Sequence, residues 1–431
     1  MPAHSQWVLL APYNDVSMLR DPLAFQLWRD MGHWGPRTKM VQLYVDDDYR
    51  GIYILSEAIK RGEQRVNISK LKKTDVKGRE LTGGYLLRID AYDADDATFV
   101  SKVPGIGQGI MTSQIVWSCI YPSKKKLQPE QLSYIENFID SVELTIQSEH
   151  FTDPQWGYAR YIDIPSFVDY FIHTELSLNA DGYKRSAYFY KEKDKEDGSI
   201  GKLFAGPVWD YNLAYGNCNF CNANNIEAWC FEGGNTQPTP AFWQRLLQDP
   251  AFRKAVKERY LSLRAGILSD RAINQYIDTQ VSLLSPFIER HFEKYPELLV
   301  TEEQKLQQSQ MPSFSFSPMN FDSIPQGFGG FPFPPMGGDS IPQGFGDFPP
   351  MSMDGFSMGN SFGYGNAIGW FAAYRVSSYD EEIKTLKQWL SDRLAFLDRN
   401  IDRFDRDFVP RIQEPKEIKM PQFNFFPSFQ R

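Results

Sequence analysis

The segment from Glu175 to Asn217, ELSLNADGYKRSAYFYKEKDKEDGSIGKLFAGPVWDYNLAYGN, holds the strongest fold signal of the chain. Two strand-like stretches, Ser186 to Tyr190 and Lys202 to Trp209, flank a charged connector with an Asp-Gly pair, which is typical of a hairpin. Asp181 ends the preceding helical stretch, and Asp210 ends the second strand. Because the hairpin folds both turns toward one edge, the sequence predicts that the two carboxylates converge.

Two converging carboxylates have two explanations. Phosphoryl transfer with a divalent metal uses one carboxylate to orient the acceptor hydroxyl and another to hold Mg²⁺ against nucleotide phosphates. Asp is also a preferred turn residue, so Asp181 beside Gly182 and Asp210 at a strand end can serve the fold alone. Their spacing by itself does not separate the two explanations.

Outward from this segment, the chain mixes strands and helices. Met40 to Leu55 alternates apolar residues around an Asp-rich turn and predicts a second hairpin, and Gly83 to Asp90 predicts a further strand. Apolar residues at helical spacing predict helices over Gln128 to Ile146, Ile164 to Leu178, and Pro240 to about Gln308, with a break at Pro286. The predicted fold class is α+β, with a β-rich N-terminal part and a helical C-terminal part.

A low-complexity segment interrupts the second half. Between Met311 and Asn366 the chain is rich in Phe, Gly, Pro, Met and Ser, and SIPQGFGGFPFPPM recurs as SIPQGFGDFPPM. Pro and Gly disfavour helices and strands, which predicts a mobile insertion, either inert or a Phe-rich surface for a partner. A periodic helix follows from Tyr379 to Phe404. The predicted domain therefore comprises residues 1–310 and 367–431 around the insertion at 311–366.

Composition excludes several classes of protein. In 431 residues, a hydrophobic fraction of 42% argues against wholesale disorder. The net charge of -8 argues against a nucleic-acid binder and favours a basic or metal-complexed partner. The sequence shows neither a membrane span nor a signal peptide.

Other chemical motifs are weak. Cys218, Cys221 and Cys230 cluster, and a disulfide, free thiols and a metal site all remain open for them. No P-loop occurs, and GIGQG at residues 105–109 is typical of a flexible loop. Hydrolase motifs are absent too, and His173 is expected to be a packed or hydrogen-bonded helix residue.

Five segments occur in an order that resembles one known family. They are LAPYNDVSMLRDPLAFQLW, VQLYVDDDYRGIYILSEAIKR, NADGYKRSAYFYK, GPVWDYNLAYGN and EIKTLKQWLSDRLAFLDRNI. Together they resemble the CotH-like (spore coat protein H) kinases over almost the whole chain apart from the insertion. The resemblance implies an atypical protein-kinase-like fold that transfers phosphate from ATP, with Mg²⁺, to Ser or Thr hydroxyls of a protein substrate. It makes Asp181 the catalytic carboxylate and Asp210 the metal ligand.

Four further residues carry predictions from the resemblance. Glu57 in ILSEAIKR matches an acidic position after the second strand, where it would fix a cation so that Lys60 or Arg61 meets phosphates. A solvated charge cluster at a strand end is the alternative. Asn212 stands where many relatives carry a second Asp, so its amide completes the metal shell or caps a turn.

The chain departs from the family at two places. Ser186 stands where many relatives keep an Asn that helps to bind metal. The β-rich stretch that relatives carry before the segment at Trp7 is missing, which fits either a truncated reading frame or a shortened, inactive homologue.

Three functions therefore remain open. They are an active kinase, an inactive structural or surface-assembly homologue, and a carbohydrate-associated extracellular module. The family places the protein outside the cell or on the spore or cell surface, and the acidic net charge makes basic sequences the first choice of acceptor.

Overall fold

The computed structural model describes residues 1–92, 94–106, 114–219, 223–232, 238–301 and 375–401. The strands are β1 (Trp7–Leu10), β2 (Thr38–Val45), β3 (Asp48–Glu57), β4 (Tyr85–Ile89), β5 (Ala97–Val100), β6 (Val116–Tyr121), β7 (Ala187–Lys191) and β8 (Leu203–Ala205). The helices are α1 (Arg20–Asp30), α2 (Gly78–Leu81), α3 (Pro129–Gln147), α4 (Ile164–Ser177), α5 (Phe242–Leu246), α6 (Pro250–Arg264), α7 (Asp270–Lys294) and α8 (Tyr379–Ile401). The predicted α+β class is confirmed.

The first sheet has three antiparallel strands in the order β1-β3-β2. Asp46 and Asp47 form the turn between β2 and β3 with φ of 50° and 63°, a left-handed conformation that Asp tolerates better than most residues. This confirms the predicted hairpin. His291 of α7 accepts the N–H of Ile52 in β3 at 3.0 Å, so a helix from the C-terminal part supports the central strand.

The second sheet has five antiparallel strands in the order β5-β6-β4-β7-β8. The β7–β8 hairpin is the one that the sequence predicts, and β7 also pairs with β4. The prediction of a strand over Lys202 to Trp209 is wrong beyond Ala205. Gly206 takes φ 96° there, and Pro207 has no N–H for the ladder, so the backbone leaves the sheet.

The helices follow the predicted apolar periodicity, with one exception. α3 and α4 lie where the sequence places them, and the Asp163 side chain caps α4 by accepting the N–H of Ser166 at 2.9 Å. The predicted break at Pro286 is wrong, because α7 continues through it. Pro286 lies on the exposed face, and the Ser285 hydroxyl donates to the Ser282 carbonyl at 3.2 Å, replacing the missing backbone donor.

The closing helix α8 belongs to the same compact unit as residues 1–300. Glu382 of α8 is buried and its Oε1 lies 2.6 Å from the guanidinium of buried Arg20 in α1. Arg393 of α8 is also buried and donates to the Glu175 carbonyl at the end of α4. α8 is described as far as Ile401, and the predicted insertion lies outside the described residues.

Candidate active site

Asp181 lies in the turn between α4 and β7. α4 ends at Ser177, and Leu178 takes a left-handed φ of 47°, which turns the chain away from the helix axis. The Asn179 side chain accepts the N–H of Asp181 at 3.2 Å, and the Asp181 carbonyl accepts the N–H of Arg185 at 2.8 Å. These bonds fix the backbone on both sides of Asp181, whose side chain is half-buried.

Asp210 lies in the connection that follows β8. Gly206 begins this connection, and a Cβ atom there would lie 2.4 Å from the Trp28 ring, so this close approach requires glycine. Asp210 takes a left-handed φ of 63°, and the N–H of the next residue, Tyr211, donates to Oδ1 of Asp21 in α1 at 2.6 Å. The Asp210 backbone is therefore held in one turn, while the residue keeps a face open to solvent.

Sheet register brings a third carboxylate to these turns. Ile89 at the end of β4 lies opposite Ala187 at the start of β7, so the next residue, Asp90, comes beside Ser186. The Ser186 hydroxyl lies 3.5 Å from Oδ2 of Asp90 and 3.4 Å from Oδ2 of Asp210. Two carboxylates thus flank one serine hydroxyl, and the charge of Asp181 acts on Asp210 as well. We call Asp90, Asp181 and Asp210 the acidic cluster.

Sequence reasoning misses Asp90, although the residue ends a predicted strand. An acidic residue directly after an apolar strand is the signal that could have found it, because such positions lie at a sheet edge. What the sequence does not show is that β4 pairs with β7, which lies far away along the chain. Only that pairing places Asp90 beside Ser186.

Burial, and to a lesser extent neighbouring carboxylates, raises the pKa values of Asp181 and Asp210. Desolvation by the surrounding protein, and then the charges of Asp181 and Asp90, raise the pKa of Asp210 to about 6. Desolvation also raises the pKa of Asp181, although the charges of Lys184 and Arg185 lower it. The guanidinium groups of Arg185 and Arg88 approach Asp90 to 3.8 Å and 3.9 Å, which offsets part of the negative charge of the cluster. A cation entering the site would therefore meet favourable electrostatics.

The cluster fits Mg²⁺ in its chemistry. Among the residues that the structure describes, no three His, Cys, Asp or Glu side chains form a group that could hold a metal ion by themselves. Mg²⁺ does not need such a cage, since it is usually bound by one or two carboxylates together with substrate phosphates and water. Asp210 and Asp90, on either side of the Ser186 hydroxyl, supply that number of ligands.

Glu57, Lys60 and Arg61 have other neighbours in the structure. Both oxygens of buried Glu57 accept from the Arg37 guanidinium at 2.8 Å, so the cation that Glu57 fixes is a side chain. The Lys60 carbonyl accepts the N–H of Val66 at 3.0 Å, and the Arg61 guanidinium lies 5.5 Å from the centre of the Tyr121 ring. A role of these residues toward phosphates stays a prediction.

Asn212 and His173 both lie in the described part of the chain, whereas parts of two other motifs do not. Asn212 lies half-buried in the turn after Asp210, where its carbonyl accepts from the Asn217 amide at 2.8 Å, and its metal role stays a prediction. His173 is buried and hydrogen-bonded within the helix layer, as the sequence predicts. Cys221 and residues 107–109 of GIGQG lie outside the described residues.

Comparison with known proteins assigns the family. The family described as CotH kinase protein matches residues 1–317, which includes the acidic cluster and both sheets. None of the curated proteins compared with the chain matches it. In the described parts of the chain, no helix has the length and apolar character to cross a membrane. The chain belongs to the CotH kinase family.

Proposed function

We propose that the chain is a protein serine/threonine kinase that transfers phosphate from ATP, with Mg²⁺, to protein hydroxyls. The observation that carries the proposal is the acidic cluster, in which Asp181 and Asp210 come together from separate turns and Asp90 joins them. Family membership supports the same class of chemistry. We further propose that the protein acts outside the cell or on the spore or cell surface, on acceptors with basic sequences, which an acidic site would attract.

Each carboxylate has a separate task in this proposal. Asp181, whose turn is fixed by the Asn179 and Arg185 bonds, would orient the acceptor hydroxyl. It would take the hydroxyl proton as that oxygen bonds to the γ-phosphorus of ATP and the bond from the γ-phosphorus to the ADP oxygen breaks, releasing ADP. Asp210 and Asp90 would hold the metal. Bound Mg²⁺ would neutralise charge on the nucleotide phosphates. The Ser186 hydroxyl, between the two metal-facing carboxylates, takes the place of the amide that many relatives carry.

Substitution of the two aspartates tests this division of roles. Asp181 contributes mainly in the transition state, so Asp181→Asn should lower phosphotransfer by about 10²- to 10⁴-fold and leave Mg-ATP affinity nearly unchanged. Asp210 contacts the metal before reaction, so Asp210→Asn should weaken Mg-ATP binding about tenfold or more and also lower turnover. Asp197→Asn, at the exposed tip of the β7–β8 connection, is the matched control and should change neither.

The measurements are calorimetry with ATP and Mg²⁺ and a phosphotransfer assay on Ser-containing basic peptides. If Asp181→Asn keeps transfer while another carboxylate variant loses it, the assignment of the catalytic residue is wrong. If the unsubstituted chain neither binds Mg-ATP nor transfers phosphate, the inactive structural or surface-assembly homologue is the correct description.

A further inference from the structure

Tyr211, directly after Asp210, is fixed at both of its polar ends. Its N–H donates to Oδ1 of Asp21 at 2.6 Å, and its hydroxyl lies 3.2 Å from Nδ1 of His173. The ring is buried with 1% exposure and meets the His173 ring edge-on at 4.9 Å between centres. Asp21 belongs to α1 and His173 to α4, so the backbone and the side chain of one residue tie the Asp210 turn to two helices.

The polarity of the His173 contacts can be read from its partners. Nε2 lies 2.9 Å from the carbonyl oxygen of Ala24 in α1, and a carbonyl only accepts, so Nε2 carries the hydrogen. Burial lowers the pKa of His173 to about 4, which keeps the ring neutral and leaves Nδ1 as an acceptor. The Tyr211 hydroxyl therefore donates to Nδ1. A chain of hydrogen bonds therefore runs from Ala24 of α1 through His173 to Tyr211, the residue next to Asp210.

The two acidic turns are also joined to each other. Oδ1 of Asn179 accepts the N–H of Asp181, and Nδ2 of the same side chain lies 3.5 Å from the Asp210 carbonyl. A displacement of the Asp210 backbone would therefore shift the Asn179 side chain and, through it, the backbone of Asp181. The position of the Tyr211 backbone thus bears on both functional carboxylates.

From these contacts we infer that Tyr211 is a positioning residue of the kinase site, which sets the place of Asp210 by anchoring its turn to α1 through Asp21 and His173. The inference rests on the proposed function for its effect on nucleotide binding. Its structural part, the anchoring of the turn, stands independently of catalysis. An anchored turn holds the Asp210 carboxylate ready for the metal, which avoids an ordering cost on binding.

The chain offers a closely matched pair of substitutions. Tyr211→Phe keeps the buried ring and removes the hydroxyl, with its bond to His173 and its interactions with the Thr174 and Asn179 side chains. Tyr215 lies in the same connection and is equally buried, but among the described residues its hydroxyl has no hydrogen-bond partner. Tyr215→Phe therefore removes the same atom from the same loop without removing a bond, so it controls for the loss of the hydroxyl itself.

The first measurement is hydrogen–deuterium exchange of the peptide that carries residues 210–212 in the full chain. Loss of the bonds that the buried Tyr211 hydroxyl makes should raise exchange there about five- to tenfold in Tyr211→Phe, with no change in Tyr215→Phe. Equal exchange in both variants and the unsubstituted chain would overturn the inference. Since no nucleotide is present, this result does not depend on whether the protein is an active kinase.

The second measurement separates positioning from general stability. In Tyr211→Phe, the Mg-ATP dissociation constant should rise about five- to tenfold, while the KM for the acceptor peptide stays within about twofold. Asp21→Ala should show the same pattern, and Asp21→Asn, which keeps an oxygen for the Tyr211 N–H, should show a smaller loss. If acceptor KM and Mg-ATP affinity weaken equally, the role is merely structural and the inference fails. Absence of Mg-ATP binding by the unsubstituted chain refutes the proposed function, while exchange alone then decides whether Tyr211 anchors the turn.

Discussion

Glu382 of α8 should stabilise the domain, although it lies beyond the residues that match the family. The family match covers residues 1–317, yet Oε1 of Glu382 lies 2.6 Å from the buried Arg20 guanidinium, with 2% and 0% of the two side chains exposed. Asp15 binds the same guanidinium at 2.5 Å, and Arg20 donates to the Ala214 carbonyl in the connection beyond Asp210 at 3.1 Å. Removing Glu382 therefore disturbs a buried network that reaches the candidate site.

The size of the effect follows from burial. Removing one partner of a buried ion pair costs about 3–5 kcal/mol, since the remaining charge is left in a poorly solvated place. Asp15 still faces Arg20 in the variant, so we expect Glu382→Ala to lower the free energy of unfolding by about 3 kcal/mol, at the lower end of that range. Glu382→Gln keeps an acceptor for the guanidinium and should cost less.

Urea denaturation of the full chain, followed by tryptophan fluorescence, measures this change. Asp380→Ala is the control, because Asp380 is an exposed acid in the first turn of the same helix. It should change stability by less than about 0.5 kcal/mol. A Glu382→Ala protein as stable as the Asp380→Ala protein would refute the reasoning and would mean that α8 does not complete the domain.

Two further predictions concern stability. Burial raises the pKa of Glu143 to about 7, so the folded state keeps a proton that the unfolded chain releases from about pH 4.5 upward. The free energy of unfolding should therefore fall by about 3 kcal/mol between pH 4.5 and about pH 7 and stay lower above that interval. In Glu143→Gln the fall should be smaller by about that amount and not vanish, because burial also raises the pKa of Glu175 to about 7. Denaturation as a function of pH measures the difference, and an unchanged pH profile would assign the titration to another group. Replacing residues 311–366 with a short Gly/Ser linker should keep unfolding cooperative and stability within about 1 kcal/mol, since loop-closure entropy changes slowly with length. A broad, non-cooperative transition in the deleted chain would indicate that the Phe side chains pack on the domain.

Local patterns were enough to predict most of the elements around the site. Apolar runs on either side of an Asp-rich turn predict the β2–β3 hairpin, and helical spacing predicts α3, α4 and α8. These patterns act over a few residues, so tertiary context does not overturn them. Two details depend on contacts that the pattern does not show, and there the predictions are wrong. α7 continues through Pro286, where the Ser285 hydroxyl supplies a donor, and β8 ends at Ala205, where Gly206 packs against Trp28 of α1 with φ 96°.

The candidate site was only partly predictable for the same reason. Asp181 and Asp210 flank one hairpin, so their approach follows from a local element. Asp90 and Asp21 reach the site through contacts between distant parts of the chain, the β4–β7 pairing and the packing of α1 against the Asp210 turn. Nothing in the spacing of the sequence encodes these contacts. A long-range pairing becomes visible only once the register of the sheet is known.

The energetics of the acidic cluster argue against a purely structural role. Burial and neighbouring carboxylates raise the pKa values of Asp181 and Asp210, and Asp210 also takes a left-handed backbone that non-glycine residues adopt with strain. A fold that used these residues only as turn formers would be more stable with Asn at one of them, because Asn tolerates the same backbone without the charge. The unfavourable terms are offset once a cation enters, since a divalent ion reverses the local electrostatics. The proposed function accounts for this cost, because a metal ion bound at the cluster would offset it, whereas turn formation alone would not.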